Sequence, residues 1–552
     1  MRKWIWPAVL LVTIVLSLAA LLPHLSGPSG FVSSLADRPV PLEDGARARL
    51  YDAVCLIVID GLRFDAAHSA AMPFLRSLEG TAAWGKVRAG LPSFSRPGYA
   101  RLLTGAPSEL TGLTMNDQTA PSPVPTLFSL AREAGLGTAA SAHYWVAELC
   151  EPAGRSVREG RFTGERIQWG YAYGRGDEPD VRVFANAKEM VRSHRPAFTL
   201  VLPASVDTAG HQAGGGSAEY RRAAAAVDAI LADFCQALPK DGKHLVIVTA
   251  DHGHRDAGGH GGEERAALEV PLFLLGEGLR PGRMAGVIDQ LDLAPTVAAA
   301  LGLPMAGSMA GRVLVEAFRD PAPWRQAQAA LERAQDSYIS ANAGFFGRAA
   351  KERKGVSFAG VWRRARRATL LGRALWRIPL SLVLSALVIA CLLKLLAPMR
   401  TRWSILAGLA FPLYFYALLR LLGADYSYSA MHSAGDFLVR VLIAAVLSLA
   451  VSTWAGASLR RGKEGFFGPT SLGLWAIQAL LAVISWTVVG GRARGFLPDL
   501  GWQVFFMVQA VLASLASLYA LIGWLLGRWM TRPSERRAGL SYPAESGGGQ
   551  GI

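Results

Sequence analysis

Six long apolar runs frame this chain and leave few ways for it to fold. The first covers residues 4–23, after Met1, Arg2 and Lys3, and five more lie near 378–398, 404–422, 437–457, 472–490 and 502–527. Each is long enough to cross ~30 Å of hydrocarbon as a helix. Between the first and the second lies a stretch of roughly 350 residues with globular composition, enough for a full α/β core. At 552 residues the chain exceeds one ordinary domain.

The spacing therefore predicts an N-terminal transmembrane anchor over 1–28, a linker over 29–50 and a globular domain over 51–322. A helical and basic juxtamembrane segment over 323–377, a five-span domain over 378–528 and a disordered cytoplasmic tail over 529–552 follow. The first run is long for a cleaved signal peptide and ends late, at Pro23 and His24, which favours an anchor. Basic residues set the sidedness. Arg2 and Lys3, Arg400 and Arg402, Arg460, Arg461 and Lys463, then Arg528, Arg532, Arg536 and Arg537 fall inside if both termini are inside. The outer loop at 423–436 has no Lys or Arg, and the one at 491–501 has Arg492 and Arg494. The expectation is a multi-pass protein of the cell (inner) membrane with its globular domain on the extracytoplasmic side.

Residues 351–377 run against that bias, with nine Lys and Arg against Glu352, more than half of the formal net charge of +15. Large translocated domains cross largely regardless of charge. Phe358, Val361, Trp362, Leu371, Leu375 and Trp376 are interleaved with the charges, which reads as an amphipathic helix on anionic headgroups, or else as a solvated basic linker. Basicity beside a membrane span argues against nucleic acid as a partner. Arg420 and Arg440 flank the loop at 423–436 and read as interface residues. Lys394, near an inner end, is little intramembrane charge for a transporter. Residues 323–350 read as an exposed helix. Of four cysteines, Cys391 falls in a span and Cys55 in a strand, leaving Cys150 and Cys235 able to pair. No CxxC spacing exists for a thiolate zinc site.

Within the globular stretch, apolar runs at 54–59, 198–202, 245–249 and 271–275 read as buried strands. Helical segments at 125–134, 218–237 and 293–301 alternate with them, the last with Asp292 as its N-cap. The fold class expected is α/β, a mostly parallel sheet covered by helices on both faces. Sites in such sheets form outside the carboxyl ends of strands. Asp60, Asp207 and Asp251 each follow a strand end.

Those aspartates have company. Asp251 and His252 lead into His254 and His260, with Gly258, Gly259, Gly261 and Gly262 around the last. Oxygen and nitrogen donors without thiolate suit Zn²⁺ or Mn²⁺. Asp207 and His211 stand four apart, weak alone in what reads as a loop. Ser95 precedes a helical segment, where the N-terminal dipole favours an alkoxide and an incoming phosphate, although a plain capping role is equally consistent.

Taken together these segments resemble the alkaline phosphatase superfamily, in its phosphodiesterase and lipid-linked phosphoethanolamine transferase branches. The likeness covers about residues 52–315. The segment from Val58 to Arg63 resembles the first metal-ligand motif. The segment from Ser95 to Gly98 resembles the nucleophile motif of the glycosylphosphatidylinositol ethanolamine phosphate transferases. Asp292 to Thr296 resembles the closing helix. The resemblance implies that Asp60, Ser95, Asp251 and His252 hold one divalent metal and that Asp207, His211 and His260 hold the other. It also implies Ser95 as nucleophile, and Asn116, 21 residues further on, as a donor to a phosphoryl oxygen. His254 is outside the implied ligand set and is expected behind the ligands or at the surface. Gly98 and Tyr99 depart from the family pattern, which usually has a His second. The Arg that a formylglycine sulfatase needs after Ser95-x-Pro97 is missing, which argues against a sulfatase.

The expected chemistry is in-line phosphoryl transfer through a phosphoserine, with two divalent ions, zinc or manganese, at the site. A transferase would pass the group from a membrane phospholipid to a glycan or lipid acceptor, and a phosphodiesterase or phosphatase would pass it to water. A non-catalytic membrane protein keeping metal for structure is the third reading. Sequence leaves the leaving alcohol, the acceptor and the oligomeric state open.

Overall fold

The computed structural model describes residues 9–15, 49–116, 118–152, 157, 159–174, 178–351, 356–396, 402–422, 434–458, 468–489 and 500–530. Most of the run at 4–23, nearly all of the linker, most of both outer loops and the tail lie outside the described residues.

Among the described residues, nine strands form one sheet: β1 (Ala53–Val58), β2 (Ala83–Arg88), β3 (Thr138–His143), β4 (Gly160–Phe162), β5 (Trp169–Tyr173), β6 (Phe198–Val201), β7 (His244–Thr249), β8 (Glu269–Leu275) and β9 (Gly282–Asp289). Their order is β4-β5-β3-β6-β1-β7-β8-β2-β9. The centre, from β5 to β7, is parallel throughout. It is built from near-continuous apolar runs because both faces are covered. β1 sits in the middle, with Leu56, Ile57 and Val58 buried. The sheet is mixed, with antiparallel joints at β4/β5, β7/β8 and β8/β2. β8 was expected from its apolar run, but its direction was not encoded there. The chain leaves β7 and returns through a short helix, Arg265–Leu268, at the same sheet edge, so it must re-enter reversed.

The helix Ala218–Ala237 keeps its expected bounds, and the helix Leu293–Leu301 does too. Asp292 holds the N-cap position of the latter, as expected, but its side chain makes no cap bond to that helix. Its carboxylate accepts from the Asp289 N–H at 3.1 Å and the Arg312 N–H at 2.9 Å. Asp289 instead caps the 3₁₀ turn Gln290–Asp292 that feeds the helix.

Residues 322–341 form a helix that is half buried, with Trp324, Leu331 and Tyr338 turned inward, not an exposed one. The basic segment also differs from expectation. Phe358, Val361 and Trp362 begin a helix that runs from Phe358 to Leu396, and all three are buried in a cluster with Leu110, Tyr338 and Phe346. That first part of the apolar face expected on headgroups is covered by protein, whereas Leu375, further along the same helix, is 63% exposed. Arg363, Arg364 and Arg367 stay exposed on its other side.

Five further helices, Arg402–Leu409, Phe411–Leu421, Ala434–Ser458, Gly468–Val489 and Leu500–Met530, pack together. Small residues meet at their contacts: Ala444, Ala445, Ser448, Ala513, Ala516 and Ser517 are buried. Large apolar residues point outward: Leu413 is 73% exposed, Val446 62% and Trp454 72%. Taken over the described residues alone, no helix is long and apolar enough to cross a membrane.

Cys150 and Cys235, the pair that could have bridged, are both free, as is Cys55. The thiol close to Cys235 is that of Cys55. The Cys391 side chain lies outside the described residues.

Candidate metal centre and nucleophile

β6, β1 and β7 are neighbours and parallel, so their carboxyl ends open onto one edge. Asp60 lies two residues past β1, and Gly61 after it turns the chain at φ +74°, a left-handed conformation open to glycine. Asp251 and His252 follow β7. Asp207 lies past β6 on a nine-residue helix, Ser205–Ala213, where sequence suggested a loop. One helical turn then puts His211 on the same face as Asp207.

The side chains converge. His252 Nε2 lies 3.4 Å from Asp60 Oδ1 and 3.2 Å from Asp251 Oδ2. It is also 4.0 Å from Asp207 Oδ1, so this imidazole stands between two groups of donors. Asp207 reaches His254 Nε2 at 2.7 Å and His260 Nε2 at 3.6 Å. His211 Nε2 sits 2.9 Å from His260 Nε2 and 3.6 Å from Asp207 Oδ2. Asp60, Asp251 and His252 form one potential ligand group, and Asp207, His252, His254 and His260 a second. His211 joins the second from a half-exposed position.

Ser95 is the first residue of the helix Ser95–Thr104. It does not cap that helix; Phe94 holds the cap position without a side-chain bond. The Ser95 hydroxyl instead pairs with His252 Nε2 at 3.1 Å. Gly98 lets the helix lie against the ligand loop, since a Cβ there would come within 2.8 Å of the Asp251 Cβ. The Asn116 amide oxygen accepts from the Arg96 N–H at 3.0 Å, which places the amide beside the first turn of the Ser95 helix.

The segment before Ser95 is sewn to the His260 loop. His260 Nδ1 donates to the Ser93 carbonyl at 2.8 Å, the Ser93 hydroxyl donates to the Gly262 carbonyl at 3.0 Å, and the Gly261 N–H donates back to that hydroxyl at 2.8 Å. His252 Nδ1 donates to the Gly253 carbonyl at 3.1 Å. Both rings thus present a bare Nε2 to the centre, the form in which imidazole ligates.

Tyr99 stands where the sequence departs from the pattern it resembles, and its hydroxyl donates to Asp60 Oδ2. Gln290 holds the other side, donating to the Asp251 carbonyl at 2.8 Å while its own oxygen accepts from Arg101 at 2.9 Å. Neither residue carries a sequence signal for such a role, because each acts through a ligand. His254, expected behind the ligands or at the surface, is fully buried.

The electrostatics test whether a cation fits. Burial pushes the Asp251 carboxyl up to about 8, helped by Asp207. Asp60 is driven well up by burial and by Asp251 and Asp207. Asp60 Oδ1 and Asp251 Oδ2 are buried without a hydrogen-bond partner. Asp207 goes the other way: burial raises it, but His254 and its neighbouring imidazoles more than offset that and hold it well below the usual carboxylate range. Burial lowers His252 to about 3 and His260 well below its ordinary value, so both stay neutral. Crowded carboxylates with unpaired oxygens, facing neutral imidazoles, fit divalent metal.

A stability prediction follows for the metal-free protein. The folded-state pKa of Asp251 lies above its unfolded value, so its contribution is present at low pH and is lost as pH rises towards about 8. His252 opposes this only below its unfolded value of 6.5, where charging a buried neutral ring destabilises the fold. Between pH 6.5 and 8 Asp251 then sets the direction. The thermal midpoint of chelator-treated protein should fall across that window, whereas that of metal-loaded protein should hold or rise, because metal needs deprotonated ligands. Calorimetry with and without chelator checks it, and a metal-free midpoint that climbs with pH would contradict it.

Residues 54–264 match the family of type I phosphodiesterase / nucleotide pyrophosphatase. GPI ethanolamine phosphate transferase 1 of Homo sapiens is 24% identical over 321 residues, covering 50% of this chain and 33% of that protein. GPI ethanolamine phosphate transferase 2 of Aspergillus fumigatus is 25% identical over 291 residues, covering 47% and 36%. The chain thus aligns with about a third of the length of these curated relatives. Among solved structures, human ectonucleotide pyrophosphatase / phosphodiesterase 5 superposes with a TM-score of 0.41 at 14% identity, covering 49% of this chain and 100% of that chain.

Proposed function

Starting from an enzyme domain of the alkaline phosphatase superfamily, matched at residues 54–264 to its phosphodiesterase branch, we propose that this protein is a membrane-anchored phosphoryl-transfer enzyme acting on phosphodiesters. Ser95 is its nucleophile, and the group moved is a phospho-alcohol such as phosphoethanolamine, taken from a membrane phospholipid and given to an envelope glycan or lipid. The observation that carries the reading is the Ser95 hydroxyl, 3.1 Å from His252 Nε2 and beside two groups of metal-type donors.

Asp60, Ser95, Asp251 and His252 would hold one divalent ion, and Asp207, His211 and His260 the other, with zinc favoured by the imidazole count. Bound there, the ions supply positive charge at the attacking and departing oxygens. The chain's own part is orientation. The start of the Ser95 helix aims its dipole at the reacting phosphoryl group and favours the alkoxide. Asn116, anchored by its oxygen, turns its NH₂ to a phosphoryl oxygen. The Ser95 oxygen bonds to phosphorus as the bond to the leaving alcohol breaks, and an acceptor alcohol then displaces Ser95.

The part of the helix Phe358–Leu396 beyond residue 378 and the helices Ala434–Ser458, Gly468–Val489 and Leu500–Met530 are each read as a span, and the two short helices Arg402–Leu409 and Phe411–Leu421 together as one more, five in all. Small side chains inside and large apolar ones outside is the arrangement expected where lipid, not water, surrounds a bundle. With both termini inside, the catalytic rim faces the extracytoplasmic side. The relatives' names favour transfer over hydrolysis, and water as acceptor is the competing reading.

Intact-protein mass spectrometry after incubation with phosphatidylethanolamine vesicles tests this directly. The expected result is a phosphoethanolamine adduct on Ser95 that persists in water and disappears on adding a glycolipid acceptor. An adduct that decays at the same rate without acceptor would make the enzyme a hydrolase.

A further inference from the structure

His254 is held in a slot that three glycines from separate segments keep open. A Cβ on Gly210 would come within 2.5 Å of its ring, one on Gly61 within 3.0 Å, and one on Gly215 within 2.9 Å of the His254 Cβ. Gly210 is the telling one. It lies inside the helix Ser205–Ala213, between Asp207 and His211, where alanine is the better helix former. Its φ is not in the left-handed region, so the backbone alone does not require glycine there. The atoms a methyl group would meet are those of the His254 imidazole.

The ring in the slot is fully buried and points Nε2 at Asp207 Oδ1, 2.7 Å away. Its Nδ1 is buried without a partner. The proton therefore belongs on Nε2, since a bare nitrogen is the cheaper group to leave unpaired than a buried N–H. His254, His211 and His260 surround Asp207 with ring centroids 4.9, 4.8 and 4.9 Å apart. His211 and His260 are the imidazoles implied as ligands there.

We infer that His254 is a positioning residue for the second metal site: its Nε2–H fixes one oxygen of Asp207, and the glycine slot exists to seat it. It acts through Asp207 and touches neither substrate nor phosphoryl group. The inference rests on the metal centre proposed above but not on what group the enzyme transfers. Outer hydrogen bonds of this kind typically change metal affinity by about 10–100-fold.

The test uses the full chain in detergent, with zinc alone as probe and competition against a chelating dye as readout, so no turnover is needed. His254→Ala should weaken the weaker-binding zinc by about 10–100-fold and shift the visible band of the cobalt-substituted protein. His254→Gln, whose amide N–H can reach the same oxygen, should restore affinity to within about threefold of wild type. Gly210→Ala should mimic His254→Ala in the wild-type background and change zinc affinity little in the His254→Ala background, because the ring it displaces is already gone. If His254→Ala folds, by its thermal midpoint, and binds two zinc ions as tightly as wild type, the inference is wrong. It is also wrong if His254→Gln fails to rescue, which would make the ring a ligand in its own right or a filler and not a positioning donor, or if Gly210→Ala weakens zinc equally in both backgrounds. If His254→Ala does not fold, zinc binding by His254→Gln within about threefold of wild type together with a loss of about 10–100-fold in Gly210→Ala supports the inference, and either result failing overturns it.

Discussion

Ser95→Ala should lower kcat/KM by about 10³–10⁵-fold, which is about 4–7 kcal/mol of transition-state stabilisation. Nothing in the surroundings replaces the lost oxygen: Ser93 is the nearest hydroxyl in sequence, and it is committed to Gly261 and Gly262. The variant should keep its fold, because Ser95 does not cap its helix and its hydroxyl bonds only to His252 among the contacts described. Elemental analysis should still find both metals, since six other ligand-type residues remain. The measurement is adduct formation and turnover on an aryl phosphodiester. Turnover near the wild-type rate would remove Ser95 from the mechanism and point to direct attack by water.

Metal removal is the second large effect. Exhaustive dialysis against chelator should reduce activity by about 10⁴-fold or more, and zinc or manganese should restore it. Asp251→Asn separates activity from stability. It should lose the metal shared by Asp60, Asp251 and His252, together with activity. Yet the metal-free variant should melt at a higher temperature than metal-free wild type at pH 8. The reason is the buried Asp251 carboxylate, crowded by Asp207, with Oδ2 unpaired. Removing that charge relieves the fold in the absence of metal, a trade between function and stability that functional sites commonly show. Full activity after chelation, with no metal by elemental analysis, would refute the two-ion mechanism. A lower midpoint for metal-free Asp251→Asn would refute the electrostatic account.

Much of the clustering at the candidate site is readable because its residues stand at or past strand ends. The runs ending near Asp60, Asp207 and Asp251 are apolar on both faces, and that pattern belongs to the centre of a parallel sheet. Parallel neighbours then bring their ends together without further information. What was not readable depends on contacts across the chain. Asp292 has the residue type of a cap, but Arg312 and Asp289 compete for its carboxylate. The apolar side chains of 358–362 have the period of a membrane-surface helix, and sequence carries no sign that Leu110, Tyr338 and Phe346 lie waiting for them. β8 shows the run of a strand but not its direction. His254 stands two residues from a ligand-type histidine, and its partner Asp207 is 47 residues away. The glycines around it, Gly61, Gly210 and Gly215, come from separate segments and carry no sequence sign of a shared slot.

The helix that begins at Phe358 has a mechanical meaning. It spans 39 residues, about 58 Å at 1.5 Å per residue, and its first turn is clamped into the catalytic domain by Trp362 and its neighbours. Gripped at one end, the stretch before Pro379, the point at which an interior proline can bend the helix, behaves as a strut and not as a leash. The domain should have little freedom to swing about its base, so on the proposed reading its substrates would have to travel to a stationary workbench, and lengthening or softening that strut should alter which molecules can reach it.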